Sequence, residues 1–363
     1  MPNSGQERTR ILLTAEEIRE VMQEFPSTRV VRAHAFNRGS RRFPKAVIET
    51  EGKTFYLLKR RSATEEDLVR ATFSHAVQSQ LALKHFPIAH CRKTHAGARW
   101  VVREGFLYEL FEFLKGERFR RSIGEARESG LLLSRLHRTL KGWTPSSAPP
   151  PPGGYYRSKT VEATWTRLAR GVLNDDPSAF VDELAKLERA LHQRYDEAAT
   201  LVDEAFAATA TSVNTGVIHG DFHPGNLLFV SGAPIALLDF DGVRCDRTVI
   251  DLANGALQFG MHSVGMKPVS EWSATLNLHC VEAFLQGYAW PRQFHLDSHE
   301  CAAMPALMVQ AAIAECVPRI ALSGRFDGRP GVEILRFLDQ KTQWIWSERQ
   351  RIATLCATCM STR

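Results

Sequence analysis

Two textures of hydrophobic and polar positions divide the chain. Across residues 29–61 apolar and polar residues alternate in short runs, RVVRAHAF, PKAVIETE and KTFYLLKRR, each rich in β-branched or aromatic side chains. That is the period of a half-buried strand. FNRGSRR, between the first two runs, reads as a hairpin loop, and Gly52-Lys53 as the next turn. From Thr64 to His85 the pattern becomes helical, with Ser62 or Thr64 as the cap and Glu65, Glu66 and Asp67 in the first turn. RWVVREG and FLYELFEF return to the strand pattern. The first 110 residues therefore read as a small antiparallel sheet carrying one helix.

Beyond Gly116 the pattern is mainly helical. RSIGEARESGLLLSRLHRTL repeats apolar residues every three or four positions, residues 178–210 form a long amphipathic pattern, and residues 271–363 supply several more helices. TPSSAPPPPGG, residues 144–154, breaks the pattern as an extended linker. Strands first and helices afterwards predict an α+β chain in two lobes. The boundaries predicted are 1–110 for a small sheet lobe, 111–116 for a hinge, and 117–363 for a large helical lobe.

Composition narrows the function. The chain has 363 residues, 44% hydrophobic and 24% charged, which excludes a disordered, collagen-like or disulfide-scaffold protein. No uninterrupted apolar run reaches the length of a membrane span, and MPNSGQERTR lacks a signal core. Seven thinly spread cysteines suit a reducing cytoplasm. The expectation is a cytoplasmic protein without a membrane or nucleic-acid partner; no zinc-finger spacing, RNP-type segment or zipper is present in the sequence. Residues 1–110 hold 19 Lys plus Arg against 12 Asp plus Glu, whereas residues 251–363 hold ten of each. The positive excess thus belongs to the first lobe and suits a small phosphate ligand.

Candidate chemistry concentrates in GVIHGDFHPGNLLFVSGAPIALLDFDGVRCD, residues 216–246. Two strand-like runs, NLLFV and PIALLDF, flank a turn at Ser231-Gly232. His219, Asp221, His223 and Asn226 stand at the mouth of this hairpin, and Asp239 and Asp241 at the end of its second strand. Oxygen-rich Asp, Asn and Asp suit Mg²⁺ better than zinc. An alternative zinc set of His219, Asp221 and His223 leaves Asn226 and Asp239 without a role. Asp221 and Asn226 are five apart, the separation of the catalytic Asp and metal-binding Asn in the protein-kinase loop.

His219-Gly220-Asp221-Phe222-His223-Pro224-Gly225-Asn226, Leu238-Asp239-Phe240-Asp241 and Asp251-Leu252-Ala253 closely resemble the motifs of the aminoglycoside phosphotransferase and choline kinase-like superfamily. Looser marks are Gly130 to His137, FEFLKGE at 111–117, and Phe284-Leu285-Gln286-Gly287-Tyr288. The resemblance spans roughly residues 30–340, and YELFEFLKGE is similar to the homoserine kinase and spore-coat-kinase branch. It implies a bilobal protein kinase-like fold and an ATP- and Mg²⁺-dependent phosphotransferase acting on a hydroxyl of a small metabolite. Within the segment 217–253 it implies Asp221 as catalytic base and Asn226 and Asp239 as Mg²⁺ ligands. His219, His223 and Asp251 would support the catalytic loop. In the first lobe it implies Lys59 as the phosphate-pairing lysine and main-chain groups of Glu112 and Leu114 as adenine partners.

Two departures stand out. Ser74, beside His75, occupies the helix position where such a lysine's glutamate partner is usual, leaving Glu65 or Glu66 as candidates. FNRGSRR has only Gly39 where a phosphate loop is glycine-rich; Arg38, Arg41 and Arg42 are alternative phosphate contacts. The missing glutamate keeps a second reading open, a catalytically inactive nucleotide-binding pseudokinase or interaction module. An aminoglycoside kinase and a protein kinase rank lower, because the C-terminal charge is neutral and no Ala-Pro-Glu-type segment is present.

Overall fold

The computed structural model describes residues 12–26, 29–36, 43–150, 154–209, 214–263, 267–290 and 296–361. The predicted loop at 37–42, with Arg38, Arg41 and Arg42, lies outside the described residues. An antiparallel sheet comes first and the remainder is mainly helical, as the two textures predict. The chain forms two compact units. One holds residues 1–116 with 145–150 and 236–238; the other holds 117–144, 151–235 and 239–363.

In the first unit, α1 (Ala15–Met22) precedes β1 (Val30–Ala35), β2 (Lys45–Thr50) and β3 (Phe55–Ser62), followed by α2 (Glu65–Leu83), β4 (Val101–Arg103) and β5 (Phe106–Glu112). The sheet order is β1-β2-β3-β5-β4, with all pairs antiparallel. Two helices accompany it, where the sequence reading expected one. The additional helix, α1, is capped by Thr14, whose hydroxyl accepts from the Glu17 N–H while the Glu17 carboxylate accepts from the Thr14 N–H. This reciprocal cap satisfies two otherwise orphaned donors.

Period-two alternation gives the sheet two faces. Ala46, Ile48, Tyr56, Leu58, Tyr108 and Leu110 share a core with Ile18, Val21 and Met22 of α1. Glu17 ties the same helix to the sheet by accepting from Arg60 at 2.7 Å and from the Tyr108 hydroxyl at 2.6 Å. The opposite set on β3 and β5, Leu57, Lys59, Arg61, Leu107, Glu109 and Phe111, includes the residues that meet α2 through His75. Thr64 caps α2 as predicted, accepting from the Asp67 N–H.

The second unit begins with α3 (Ile123–Leu140), α4 (Lys159–Glu162), α5 (Trp165–Asp175) and the long α6 (Val181–Ala208). Then come β6 (Thr215–Ile218), β7 (Leu227–Val230), β8 (Ala233–Leu237), β9 (Arg244–Arg247) and α7 (Thr248–Gly260). The end of β8 clusters with the first unit, where Leu237 bridges to Ile88. The chain closes with α8 (Leu278–Ala289), α9 (Ser298–Ser323), the short pair β10 (Arg325–Phe326) and β11 (Arg329–Pro330), α10 (Gly331–Ser347) and α11 (Arg349–Met360). Helix α9 is the centre of this unit and packs against α5, α6, α7, α10 and α11. Among the described residues it is long and apolar enough to cross a membrane, but it is mostly buried inside the unit.

Two of the looser sequence marks, Gly130 to His137 and Phe284 to Tyr288, meet at one helix crossing. A Cβ on Gly130 of α3 would fall 1.9 Å from the Phe284 carbonyl oxygen of α8, and one on Gly287 would fall 2.0 Å from the Arg127 carbonyl oxygen. Only glycine permits this approach of the two backbones. The crossing brings His137 Nδ1 within 2.9 Å of the Tyr288 hydroxyl, while His137 Nε2 lies 3.2 Å from Asp251 on α7.

Candidate active site

The loop after β6 is held chiefly from below by α7. Asp251, fully buried, accepts from the His219 N–H at 2.6 Å and the Gly220 N–H at 2.8 Å. Burial alone pushes its carboxyl up, but the His137 hydrogen bond, the histidine charges and the Gly220 N–H outweigh this and lower it. One turn further on, Asn254 donates to the Phe222 carbonyl at 3.2 Å. Two side chains on one face of α7 therefore fix three groups of the loop. Gly220 has φ +75, and a Cβ there would meet the Gly242 carbonyl oxygen at 2.1 Å. The turn runs against the segment leading into β9, which pairs with β6 through Val217–Cys245 and Ile218–Arg244.

The loop's histidines face its own backbone. His219 Nδ1 accepts from the Asp221 N–H at 3.3 Å, and His223 Nδ1 accepts from the Gly225 N–H at 3.0 Å. Accepting at Nδ1 places the neutral-form proton on Nε2. In His223 that nitrogen lies 3.5 Å from Asp221 Oδ2. These bonds occupy the Nδ1 lone pairs and disfavour His219, Asp221 and His223 as a zinc set.

Asp221 is surrounded by donors. Asn226 Nδ2 donates to its carbonyl at 2.9 Å and lies 3.3 Å from Oδ2, and the Tyr155 hydroxyl donates to Oδ1 at 2.5 Å. Burial pushes the Asp221 carboxyl up, yet the His223 hydrogen bond and charge and the Tyr155 hydroxyl carry it down to about 2. His223 moves the other way: burial lowers it, but Asp221, Glu315 and Asp239 raise it overall. The Tyr155 phenol rises well above its ordinary value through burial and the charges of Asp221 and Glu315, so it remains a donor.

Asn226 and Asp239 offer hard oxygens. The Asn226 amide nitrogen is turned to Asp221, which leaves its carbonyl oxygen pointing elsewhere. Asp239 sits in the left-handed region at φ +60, a strained conformation for a non-glycine residue that sets the direction of its carboxylate. Its charge reaches His223. An amide oxygen and a carboxylate fit Mg²⁺, which keeps waters and phosphate oxygens as its other ligands.

In the first unit, Lys59 is buried on β3, directly opposite Glu109 of β5. Glu65 and Glu66, the carboxylates considered for Lys59 in the sequence, are exposed at the start of α2, where Glu66 pairs with Arg70 at 2.7 Å. Glu112 is the last residue of β5, and its N–H donates to the His90 carbonyl, so only its carbonyl is left for a ligand. Leu114 follows in a half-buried segment without regular structure.

Sequence reasoning missed Tyr155, Asn254, Glu109 and Glu315. Asn254 carried a signal, standing three residues after Asp251 on a helix. Tyr155 lies 66 residues before Asp221, and no local pattern links them.

Residues 35–298 match the model of the phosphotransferase enzyme family. No curated protein matches the chain. Among solved structures, an aminoglycoside phosphotransferase from Alicyclobacillus acidocaldarius is 17% identical with a TM-score of 0.61, covering 92% of this chain and 96% of that one. A choline kinase from Cryptosporidium parvum is 12% identical with a TM-score of 0.63, covering 96% and 100%. An amicoumacin kinase in complex with AMP-PNP and Ca²⁺ is 14% identical with a TM-score of 0.63, covering 93% and 92%. Across these likenesses the fold is shared at low identity.

Proposed function

Because the chain belongs to the phosphotransferase enzyme family, we propose that it moves the γ-phosphoryl group of ATP to a hydroxyl of a small metabolite, with Asp221 as base. The observation that carries this reading is the 2.5 Å hydrogen bond from the Tyr155 hydroxyl to Asp221 Oδ1. Asp221 already holds a hydroxyl donor where an acceptor would present one. Phosphoryl transfer passes through a loose transition state, so positioning outweighs strong basicity. A carboxyl held at about 2 is suited to positioning. It stays ionised, aims the acceptor oxygen at phosphorus, and takes the hydroxyl proton as the new P–O bond forms, the bond to the β-phosphate oxygen breaks and ADP leaves.

The other residues act through placement. Asp251 and Asn254 hold the loop so that Asp221 needs no reorganisation during reaction. Asn226 and Asp239 would hold Mg²⁺, which when bound neutralises charge on the β- and γ-phosphates. Lys59 would pair with the phosphates, and the Glu112 carbonyl and Leu114 N–H would receive the adenine.

The acceptor we favour is an amino alcohol, ahead of a hydroxy amino acid or a sugar. Glu315 of α9 acts electrostatically on both Tyr155 and His223, and Gln258 holds its Oε2 at 2.7 Å. A fixed carboxylate near the base suits an acceptor with one positive amino group. A panel of hydroxyl metabolites, incubated with labelled ATP with and without Mg²⁺, tests the reading. Metal-dependent labelling of an amino alcohol is the expected result. No labelling of any acceptor, together with Mg²⁺-independent ATP binding, would support the pseudokinase reading instead.

A further inference from the structure

We propose that Glu109 on β5 is the positioning residue for Lys59, supplying from a strand the counter-charge expected on the helix. The proposal rests on the reading of Lys59 as the phosphate-pairing lysine. Lys59 and Glu109 are direct partners in the β3–β5 register, so their side chains leave the same face of the sheet. Arg61, two residues along β3, shares that face and donates Nη2 to Glu109 Oε1 at 2.9 Å. His75 of α2 approaches the same oxygen at 2.6 Å through Nε2. Its ring stacks against Trp100 and Phe111, which fixes its orientation.

The cluster is dry. Lys59 is 6% exposed, Arg61 5% and Glu109 1%. Two buried cations next to one another require an anion, and Glu109 lies beside both. Burial pushes its carboxyl up, but the His75 hydrogen bond and the Arg61 and Lys59 charges outweigh this and lower it overall. Oε2 of Glu109 is buried without a hydrogen bond among the described residues, leaving lone pairs open to a cation on the same face. The link between helix and sheet therefore survives with its chemistry reversed: α2 contributes a histidine, and the strand contributes the carboxylate. The absence of a glutamate near Ser74 and His75 then does not mark a disabled site.

The test is the affinity of the full-length protein for Mg²⁺-ATP by titration calorimetry, with the melting temperature followed in parallel. Lys59→Met and Glu109→Gln should each weaken binding by about tenfold, and the double variant should be no weaker than Lys59→Met alone. Glu109→Gln keeps an oxygen for Arg61 and His75. Moving the charge back to the helix, in His75→Glu/Glu109→Gln, should restore affinity to within about threefold of wild type. Glu109→Asp, which retains the charge, should also stay within about threefold and serves if the amide variant unfolds. Wild-type affinity in Glu109→Gln, losses that add in the double variant, or an Asp variant as weak as Lys59→Met would overturn the role of Glu109 while leaving Lys59 in place. Wild-type affinity in Lys59→Met would remove the reading of Lys59 itself, and the proposal with it.

Discussion

The Tyr155 hydroxyl donates to Asp221 Oδ1 at 2.5 Å, so the carboxylate that defines the candidate site is already paired with a hydroxyl. With Asp221 as the proposed base, an incoming acceptor would compete with that bond, and a hydrogen bond to a charged group contributes about 1.5–3 kcal/mol. Tyr155→Phe removes the competitor while keeping the ring. The acceptor KM should fall by about tenfold, and acceptor-free ATP hydrolysis should rise by about threefold as water reaches Asp221. A raised KM with unchanged hydrolysis would instead make the phenol part of the acceptor's binding site.

Asp251 joins three elements through His137, the His219 N–H and the Gly220 N–H. Asp251→Asn leaves a buried site with one acceptor too few and should cost about 3 kcal/mol of stability. Phosphate transfer should fall by about a hundredfold even where the protein stays folded, because the loop carrying Asp221 loses its brace. Denaturant unfolding and steady-state kinetics on the same preparation separate the two effects. Since this network lowers the Asp251 carboxyl overall despite its burial, its stabilisation is present above the unfolded value and is lost as pH falls through the folded one.

Gly130→Ala and Gly287→Ala each place a methyl group about 2 Å from a carbonyl oxygen of the opposing helix. The helices must separate, which should cost about 1–3 kcal/mol. The crossing also sets the His137–Tyr288 contact, so kcat should fall along with the melting temperature. A variant that lost neither would show that α3 and α8 approach less closely than this.

Lys341 on α10 is buried, and burial lowers its ammonium from 10.5 to about 8. Its Nζ donates to the Thr275 carbonyl at 3.3 Å and lies 5.2 Å from the centre of the Phe337 ring. Below about pH 8 both folded and unfolded forms carry the charge, and the folded form bears the full cost. Between about 8 and 10.5 the folded form releases the proton first, so this residue's penalty recedes as pH rises. Lys341→Met should therefore stabilise the protein by about 1–2 kcal/mol at pH 7 and by less at pH 10, offset by the unpaired Thr275 carbonyl. Chemical denaturation at the two pH values checks the sign.

The sequence made the fold legible wherever pairing is local. Alternation located β1, β2, β3 and β5, and the proline-rich break coincides with residues 144–150 lacking helix or strand. The segment 217–253 held the loop, its brace and the hairpin within forty residues, so spacing brought Asp221, Asn226 and Asp239 into view and the family resemblance added Asp251. Glu109 was hidden because a charged residue within an apolar strand resembles an ordinary solvent-facing position, and only the register with Lys59 reveals it. Tyr155 was hidden by distance along the chain. The N-terminal helix was legible from Thr14 and Glu17, but its short amphipathic run was overshadowed by the strands that follow.

Transfer of labelled phosphate from ATP to the best acceptor, compared between wild type and Asp221→Ala under single-turnover conditions, tests the assigned base most directly. With ATP binding retained, transfer in the variant should fall by about a hundredfold to ten-thousandfold. Transfer at the wild-type rate in Asp221→Ala would contradict the assignment.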